Sequence, residues 1–147
     1  MTEILIRKAG KSDLQAIQRL LSTYFLDMEG LKDEDFILAE INGQIRGCAA
    51  FIKSKYQGKE FLEIHSIAVH PNFRGKGIGT RLVKYLLTTT GELTCDLYVR
   101  TAAPRFFEKL NFEKIENSKK LLLWGDCKKC EHFENCTQYA MKYSCNS

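Results

Sequence analysis

Between residues 74 and 80 the chain reads "RGKGIGT". Gly75, Gly77 and Gly79 alternate with Lys76 and Ile78, Arg74 leads in, and Thr80 follows. Glycine is costly in a helix and packs nothing, so some other demand must select bare backbone here. A strand stopping near Val69, a tight loop and a helix starting near residue 77 point several backbone N–H groups at one spot. In the first turn of a helix those groups have no partner, and the positive end of the helix dipole faces the same way. That arrangement holds a phosphate or diphosphate, which reaches the amides where no Cβ stands in the way. Arg74 and Lys76 add positive charge at the rim. The stretch is not a P-loop, G-x-x-x-x-G-K-[ST], and it fits the dinucleotide spacing G-x-G-x-x-G poorly.

A second cluster of reactive residues closes the chain. Cys127, Cys130, Cys136 and Cys145 follow the spacing C-x2-C-x5-C-x8-C. Four thiolates can complete a tetrahedral zinc site, and His132 could replace one of them. Iron–sulfur ligation also uses four thiolates, though this spacing matches no standard pattern. A redox C-x2-C pair and ordinary free thiols are the competing readings. Cys130 and Cys136 do not share one helix face, so a metal would require a bend. The remaining two, Cys48 and Cys95, sit singly in apolar segments and read as small buried hydrophobes.

The elements that must position these groups follow from periodicity. "EILIRKA", 3 to 9, alternates like a strand. In "KSDLQAIQRLLSTYF", Ser12 and Gln15 form a capping-box pattern, and Leu14, Ile17, Leu20, Leu21 and Tyr24 line one helical face. The polar stretch 26 to 35 reads as a loop or a short broken helix. Three strands follow, joined by a hairpin at Asn42-Gly43 and a turn at 56 to 59, the third running from about 60 to 69 and ending at Pro71. After the glycine stretch come a helix at about 77 to 89, a strand at 93 to 99 and a short helix at 103 to 110 with Pro104 in its first turn. "FEKIEN" and "KKLLLW" read as final strands. The pattern is an α/β layered sheet with meander hairpins rather than a uniform βαβ series.

Composition narrows the class. The 147 residues suffice for one domain with a substantial core. A hydrophobic content of 44% and a charged content of 27% are those of a globular protein. No apolar run approaches the roughly 18 residues of a membrane span, and "MTEILIRKAGKSD" has no signal-peptide core. The chain is therefore expected to be cytoplasmic, with no membrane partner. The net charge of +4 suits a phosphorylated ligand and is too small and dispersed for nucleic acid. Oligomeric state stays open, with a homodimer allowed.

These residues carry a family resemblance. "VHPNFRGKGIGTRLV" resembles the acetyl-CoA signature of the GNAT N-acetyltransferases, Arg/Gln-x-x-Gly-x-Gly/Ala, met here by Arg74, Gly77 and Gly79. "EIHSIAV" resembles the family's central strand, and "YVRTAAPRFFEKLNFEKI" its next strand and short helix. The resemblance spans about residues 3 to 124, with 125 to 147 set apart as a Cys-rich extension. It implies a mixed, mostly antiparallel central sheet flanked by helices, with a splayed strand at the acetyl-CoA site. It implies that pantetheine runs along Ile67, Ala68 and Val69, and that the diphosphate sits on the amides of Arg74 to Thr80, which include those of Gly75, Lys76, Gly77, Ile78 and Gly79. A main-chain N–H at Val69 or Ala68 would polarise the acetyl carbonyl while a primary amine attacks directly.

Two titratable residues, Glu63 and His65, stand two apart on the same face of that strand. Either could take the proton of the attacking ammonium, directly or through a water. Many family members also carry a Tyr on the short helix that protonates the leaving thiolate. Phe107 occupies that position here, leaving solvent, Tyr98 or no acid at all. Asn111 replaces the family's usual Gly and can still adopt a left-handed backbone.

For the acceptor, "DFILAEINGQIRGCAAF", "TAAPRFFEKLNFE" and "FENCTQYAMKY" resemble short amino-acid acetyltransferases related to N-acetylglutamate synthase, with Cys136, Ala140 and Met141 in the closing run. Those proteins often have Arg where His65 stands, which sets this chain apart from the glutamate-specific pattern. The expected activity is acetyl transfer from acetyl-CoA to a primary amine of a small molecule, an amino acid among them, or of a peptide. The alternative is a non-catalytic acyl-CoA-binding module whose cysteine tail senses metal or redox state.

Overall fold

A computed structural model of the chain describes residues 3–26, 28, 30–56, 59–90, 96–101, 103–116 and 139–143. Among the described residues seven strands pair in a sheet: β1 (Ile4–Lys8), β2 (Phe36–Ile41), β3 (Gln44–Tyr56), β4 (Lys59–Val69), β5 (Asp96–Thr101), β6 (Glu113–Lys114) and β7 (Tyr139–Tyr143). Their order is β1-β2-β3-β4-β5-β7-β6. The α-helices among the described residues are α1 (Leu14–Ser22), α2 (Ile78–Thr90) and α3 (Pro104–Glu108). This is the mixed α/β architecture expected from the sequence. No helix among the described residues is long and apolar enough to cross a membrane.

The chain divides into two compact units, Met1–Ile52 with Ile64–Thr89, and Lys53–Glu63 with Thr90–Ser147. In the first, β1 pairs antiparallel with β2, and β2 with β3. The β2–β3 hairpin turns on Asn42 and Gly43, with φ of 52° and 78°, the paired positive values of a tight primed turn. The register then shifts between Ala39 and Glu40. Ile17, Leu20 and Leu21 of α1 bury their stripe against Phe36, Leu38, Cys48, Ala50 and Ala68, as the helical spacing requires. Cys48 is fully buried, and burial pushes its thiol up to about 12, the inert core cysteine expected of it.

The start of α1 differs from the capping box read at Ser12 and Gln15. A turn of 3₁₀ helix over Lys11–Asp13 precedes it, and Asp13 accepts from the backbone N–H of Gly10 at 2.8 Å. Arg7 wins this carboxylate by donating to both of its oxygens, at 2.9 and 3.0 Å, so the cap moves back toward β1.

In the second unit, β7 pairs antiparallel with both β5 and β6. It lies within residues 125 to 147, the stretch expected to stand apart as a Cys-rich extension. Met141 and Ala140 are buried there. Phe107, Leu110 and Phe112 follow β5 and are buried, the rings of Phe107 and Phe112 edge-to-face at 5.2 Å. The strand read at "KKLLLW" lies outside the described residues.

Candidate active site

The glycine stretch forms the loop between β4 and α2. Gly75 and Gly77 have φ of 76° and 79°, a left-handed conformation that L-residues with a Cβ adopt only at a cost. A Cβ built on either would meet no atom within 4 Å. Glycine is therefore selected by backbone conformation, and the space in front of the loop is open. The helical ladder of α2 begins with Arg81 donating to the Gly77 carbonyl at 3.0 Å, so the amides of Ile78, Gly79 and Thr80 stand ahead of it. Arg74 and Lys76 are exposed on the same loop. A cradle with open space over its glycines and cations at its rim fits a diphosphate.

The packing beneath holds this loop in place. Ile78, the first residue of α2, is buried with Leu82, Val83 and Leu86. It sits over Gly47 of β3, where a Cβ would lie 2.8 Å from Ile78 Cγ2. Gly47 thus lets α2 approach the sheet. Phe73, just before the loop, takes the Arg46 guanidinium over its ring at 5.0 Å and the Lys76 ammonium at 5.6 Å, a cation–π arrangement that spreads the loop's positive charge.

The end of β4 is tied down at several atoms. The Val69 carbonyl accepts from the Tyr24 hydroxyl at 2.5 Å, and the His70 N–H donates to the Arg46 carbonyl at 2.8 Å. Arg74 Nε donates to that same Tyr24 hydroxyl at 2.9 Å. His70 Nδ1 accepts from the Asn72 N–H at 3.2 Å and caps the turn that follows. An open cavity of about 470 Å³ borders His70, Arg19 and Arg46 between α1 and the β2–β3 turn; neither Glu63, His65 nor the cradle lines it.

Glu63 and His65, nominated together from the sequence, have different surroundings. Glu63 is buried, and in the second unit its carboxylate accepts from the Arg100 guanidinium at 3.3 Å. His65, in the first unit, is exposed and holds its Nδ1 at 2.9 Å from Ser66 Oγ. Of the strand residues expected along pantetheine, Ala68 is buried, while Ile67 and Val69 are half-buried.

Sequence reasoning did not single out Tyr24 or Arg100. Tyr24 was read only as part of the apolar face of α1, although a partly buried phenol seeks a polar partner. Arg100 had a signal: a glutamate inside the apolar run "FLEIHSIAV" needs a cation, and the next strand supplies one.

Asn111 takes φ of 69°, the left-handed backbone expected where the family has Gly. Phe107 is almost fully buried against Phe106 and Phe112. Cys95 and the candidate ligands Cys127, Cys130, Cys136 and Cys145 lie outside the described residues. Among the described residues no group of three or more His, Cys, Asp or Glu is placed to hold a metal ion.

Comparison with known proteins places this geometry. Residues 32–114 match the family model of the acetyltransferase (GNAT) domain. The chain is 31% identical to an uncharacterized N-acetyltransferase of Chlorobaculum tepidum, across 92% of this chain and 93% of that protein. It is 29% identical to the amino-acid acetyltransferase of Mycobacterium tuberculosis, across 78% of this chain and 71% of that protein. Its fold is similar to that of N-acetylglutamate synthase from Neisseria gonorrhoeae complexed with coenzyme A and N-acetyl-glutamate. The TM-score is 0.78 at 19% identity, covering 98% of this chain and 35% of that one.

Proposed function

The chain belongs to the GNAT acetyltransferase family and is an acetyl-CoA-dependent N-acetyltransferase; from that premise we propose that its acceptor is the α-amine of a free amino acid. The likeness to the M. tuberculosis amino-acid acetyltransferase, which extends over most of both chains, supports this acceptor class. The observation that carries the co-substrate assignment is the open cradle, with positive φ at Gly75 and Gly77 and no atom where a side chain would begin.

In this reading the amides of residues 75 to 80 hold the diphosphate, with Arg74 and Lys76 at its edge. Pantetheine lies along Ile67 to Val69, and an N–H of Ala68 or Val69 donates to the acetyl carbonyl as it becomes an oxyanion. The neutral amine attacks the thioester carbon. The C–N bond forms, the C–S bond breaks, and coenzyme A leaves as thiolate.

The ammonium proton goes to His65. Its ring is exposed, and in the tautomer that carries its proton on Nδ1, toward Ser66 Oγ at 2.9 Å, Nε2 is left as the acceptor. Glu63 suits that task less, because its carboxylate is buried and committed to Arg100; its role is to hold that guanidinium.

A thiol-release assay with acetyl-CoA and each proteinogenic amino acid tests the acceptor. One amino acid or a small group should stimulate coenzyme A release well above hydrolysis. Stimulation by peptides with a free N-terminus or by polyamines, with no response to any amino acid, would overturn it.

A further inference from the structure

We propose that the Tyr24 hydroxyl is a positioning group for the co-substrate, latching the end of β4 to the arginine that leads the diphosphate cradle. The proposal rests on the reading of residues 74 to 80 as a diphosphate site.

Tyr24 is held at a closed helix end. Beyond α1, Leu26 N–H donates to the Leu21 carbonyl at 3.0 Å and Phe25 N–H to the Ser22 carbonyl at 3.1 Å. These are the paired bonds of a Schellman closure, with Phe25 in its left-handed position at φ 59°. Glycine usually fills that position. A fully exposed phenylalanine there gains no packing to offset its backbone strain. The closure sets Tyr24 directly before the left-handed residue, two positions beyond the end of α1, where its hydroxyl reaches the Val69 carbonyl.

One hydroxyl then serves two partners. It donates to the Val69 carbonyl at 2.5 Å and accepts from Arg74 Nε at 2.9 Å. The Arg74 guanidinium also lies 4.8 Å over the Tyr24 ring. The Val69–His70 peptide is thereby gripped at both polar atoms, its carbonyl by Tyr24 and its N–H by the Arg46 carbonyl. That peptide ends the strand assigned to pantetheine, and Arg74 opens the loop assigned to the diphosphate. The hydroxyl therefore sets the spacing between the two rests of one ligand. Nε is only one of five guanidinium donors, so the terminal nitrogens of Arg74 keep their capacity for a phosphate oxygen while the latch is closed.

The test is Tyr24→Phe, which keeps the ring and its stacking on Arg74 but removes both hydrogen bonds. Dissociation constants are measured by calorimetry for coenzyme A and for pantetheine, which lacks the diphosphate. Tyr24→Phe should weaken coenzyme A about tenfold, the lower range for a hydrogen bond involving a charged group, and pantetheine less than about twofold. In the steady state KM for acetyl-CoA should rise while kcat holds. Arg74→Gln should weaken coenzyme A as well, and adding Tyr24→Phe to it should weaken binding little further, because the two act as one unit.

Equal weakening of both ligands would mean that Tyr24 merely supports the strand, and no weakening of either would mean that the hydroxyl positions nothing. Both results overturn the latch. If the unaltered protein binds coenzyme A and pantetheine equally well, the cradle reading itself fails and takes the latch with it, and that result is visible without any variant.

Discussion

Gly47→Ala is the substitution whose effect on both stability and the candidate site can be worked from distances. The added methyl would lie 2.8 Å from Ile78 Cγ2 and 3.3 Å from both Ala39 Cβ and Leu82 Cδ1. Carbon–carbon contacts settle at about 3.5–4.0 Å, so the clash with Ile78 is roughly 1 Å deep. Ile78 cannot swing aside, since it is buried and a β-branched residue in a helix has essentially one χ1 rotamer. The strain must go into lifting the first turn of α2 from β3, which costs about 1–3 kcal/mol on the scale of overpacked cores. Ile78→Ala alone opens a cavity and should cost about 2–5 kcal/mol. Together the changes should cost less than their sum by more than 1 kcal/mol, roughly, since the new methyl then fills space that the isoleucine has vacated. Urea unfolding followed by far-ultraviolet circular dichroism reads all four corners of this cycle. Ile78 directly follows the glycine loop, so KM for acetyl-CoA should rise in Gly47→Ala and recover partly in the double variant. Additivity within about 0.5 kcal/mol would refute the close approach of α2 to β3.

Other outcomes follow from the same structure. Gly77→Ala should cost about 1–2 kcal/mol of left-handed strain and raise KM for acetyl-CoA, while Gly77→Asn, which tolerates that backbone better, should lose less; equal losses in stability and KM would show that φ is not what selects glycine. His65→Ala should lower kcat by about 10²–10⁴ with the unfolding midpoint unchanged, whereas Glu63→Gln should destabilise by about 1–3 kcal/mol, as expected when a charged hydrogen bond to a part-buried guanidinium is weakened; the reverse pattern would exchange their roles. The Arg7 guanidinium, through its hydrogen bond, holds the Asp13 carboxyl below the usual carboxylate range. Its folded pKa is depressed, so its contribution is present above the unfolded value near about pH 4 and lost as pH falls through the folded one. The stability advantage of the unaltered chain over Asp13→Asn should therefore shrink on acidification, and a constant advantage from neutral pH to about pH 2, well below the ordinary aspartate pKa, would refute it.

What could be read from the sequence was set by local chemistry. The Asn42-Gly43 hairpin needs two positive φ values in succession, and that dipeptide is among the few that accept them; the turn appears where the sequence puts it. The burial of Ile17, Leu20 and Leu21 follows from the 3.6-residue period, and the cradle follows from glycines that no helix start would otherwise keep. Long-range partners were not legible. Nothing near Tyr24 states that its hydroxyl meets Val69 and Arg74, because that contact depends on the packing of α1 against the sheet. The alternation of "YAMKY" is too short to stand out beside four cysteines, so β7 emerges only from its pairing with β5 and β6. Asp13 precedes α1 without a side-chain cap bond to it, its carboxylate accepting instead from Arg7 and from the Gly10 N–H.

The absence of a tyrosine at position 107 bears on how coenzyme A departs. Phe107 lies edge-to-face with Phe106 at 4.9 Å and with Phe112 at 5.2 Å, and only 2% of its surface is exposed. A hydroxyl placed on that ring would enter an aromatic cluster, where an unpaired polar group costs about 1–3 kcal/mol. The position is thus built into the core of the second unit rather than held ready for proton transfer. A thiol has a pKa of about 8.5, far below that of a neutral amine N–H, so once the attacking nitrogen has lost its extra proton the tetrahedral intermediate collapses toward the amide with the thiolate leaving unprotonated. What the reaction must have is a neutral amine at the thioester, and so the group that takes the ammonium proton carries more of the chemistry than any acid on α3. If His65 is that group, as proposed, His65→Ala is the substitution that reads it out.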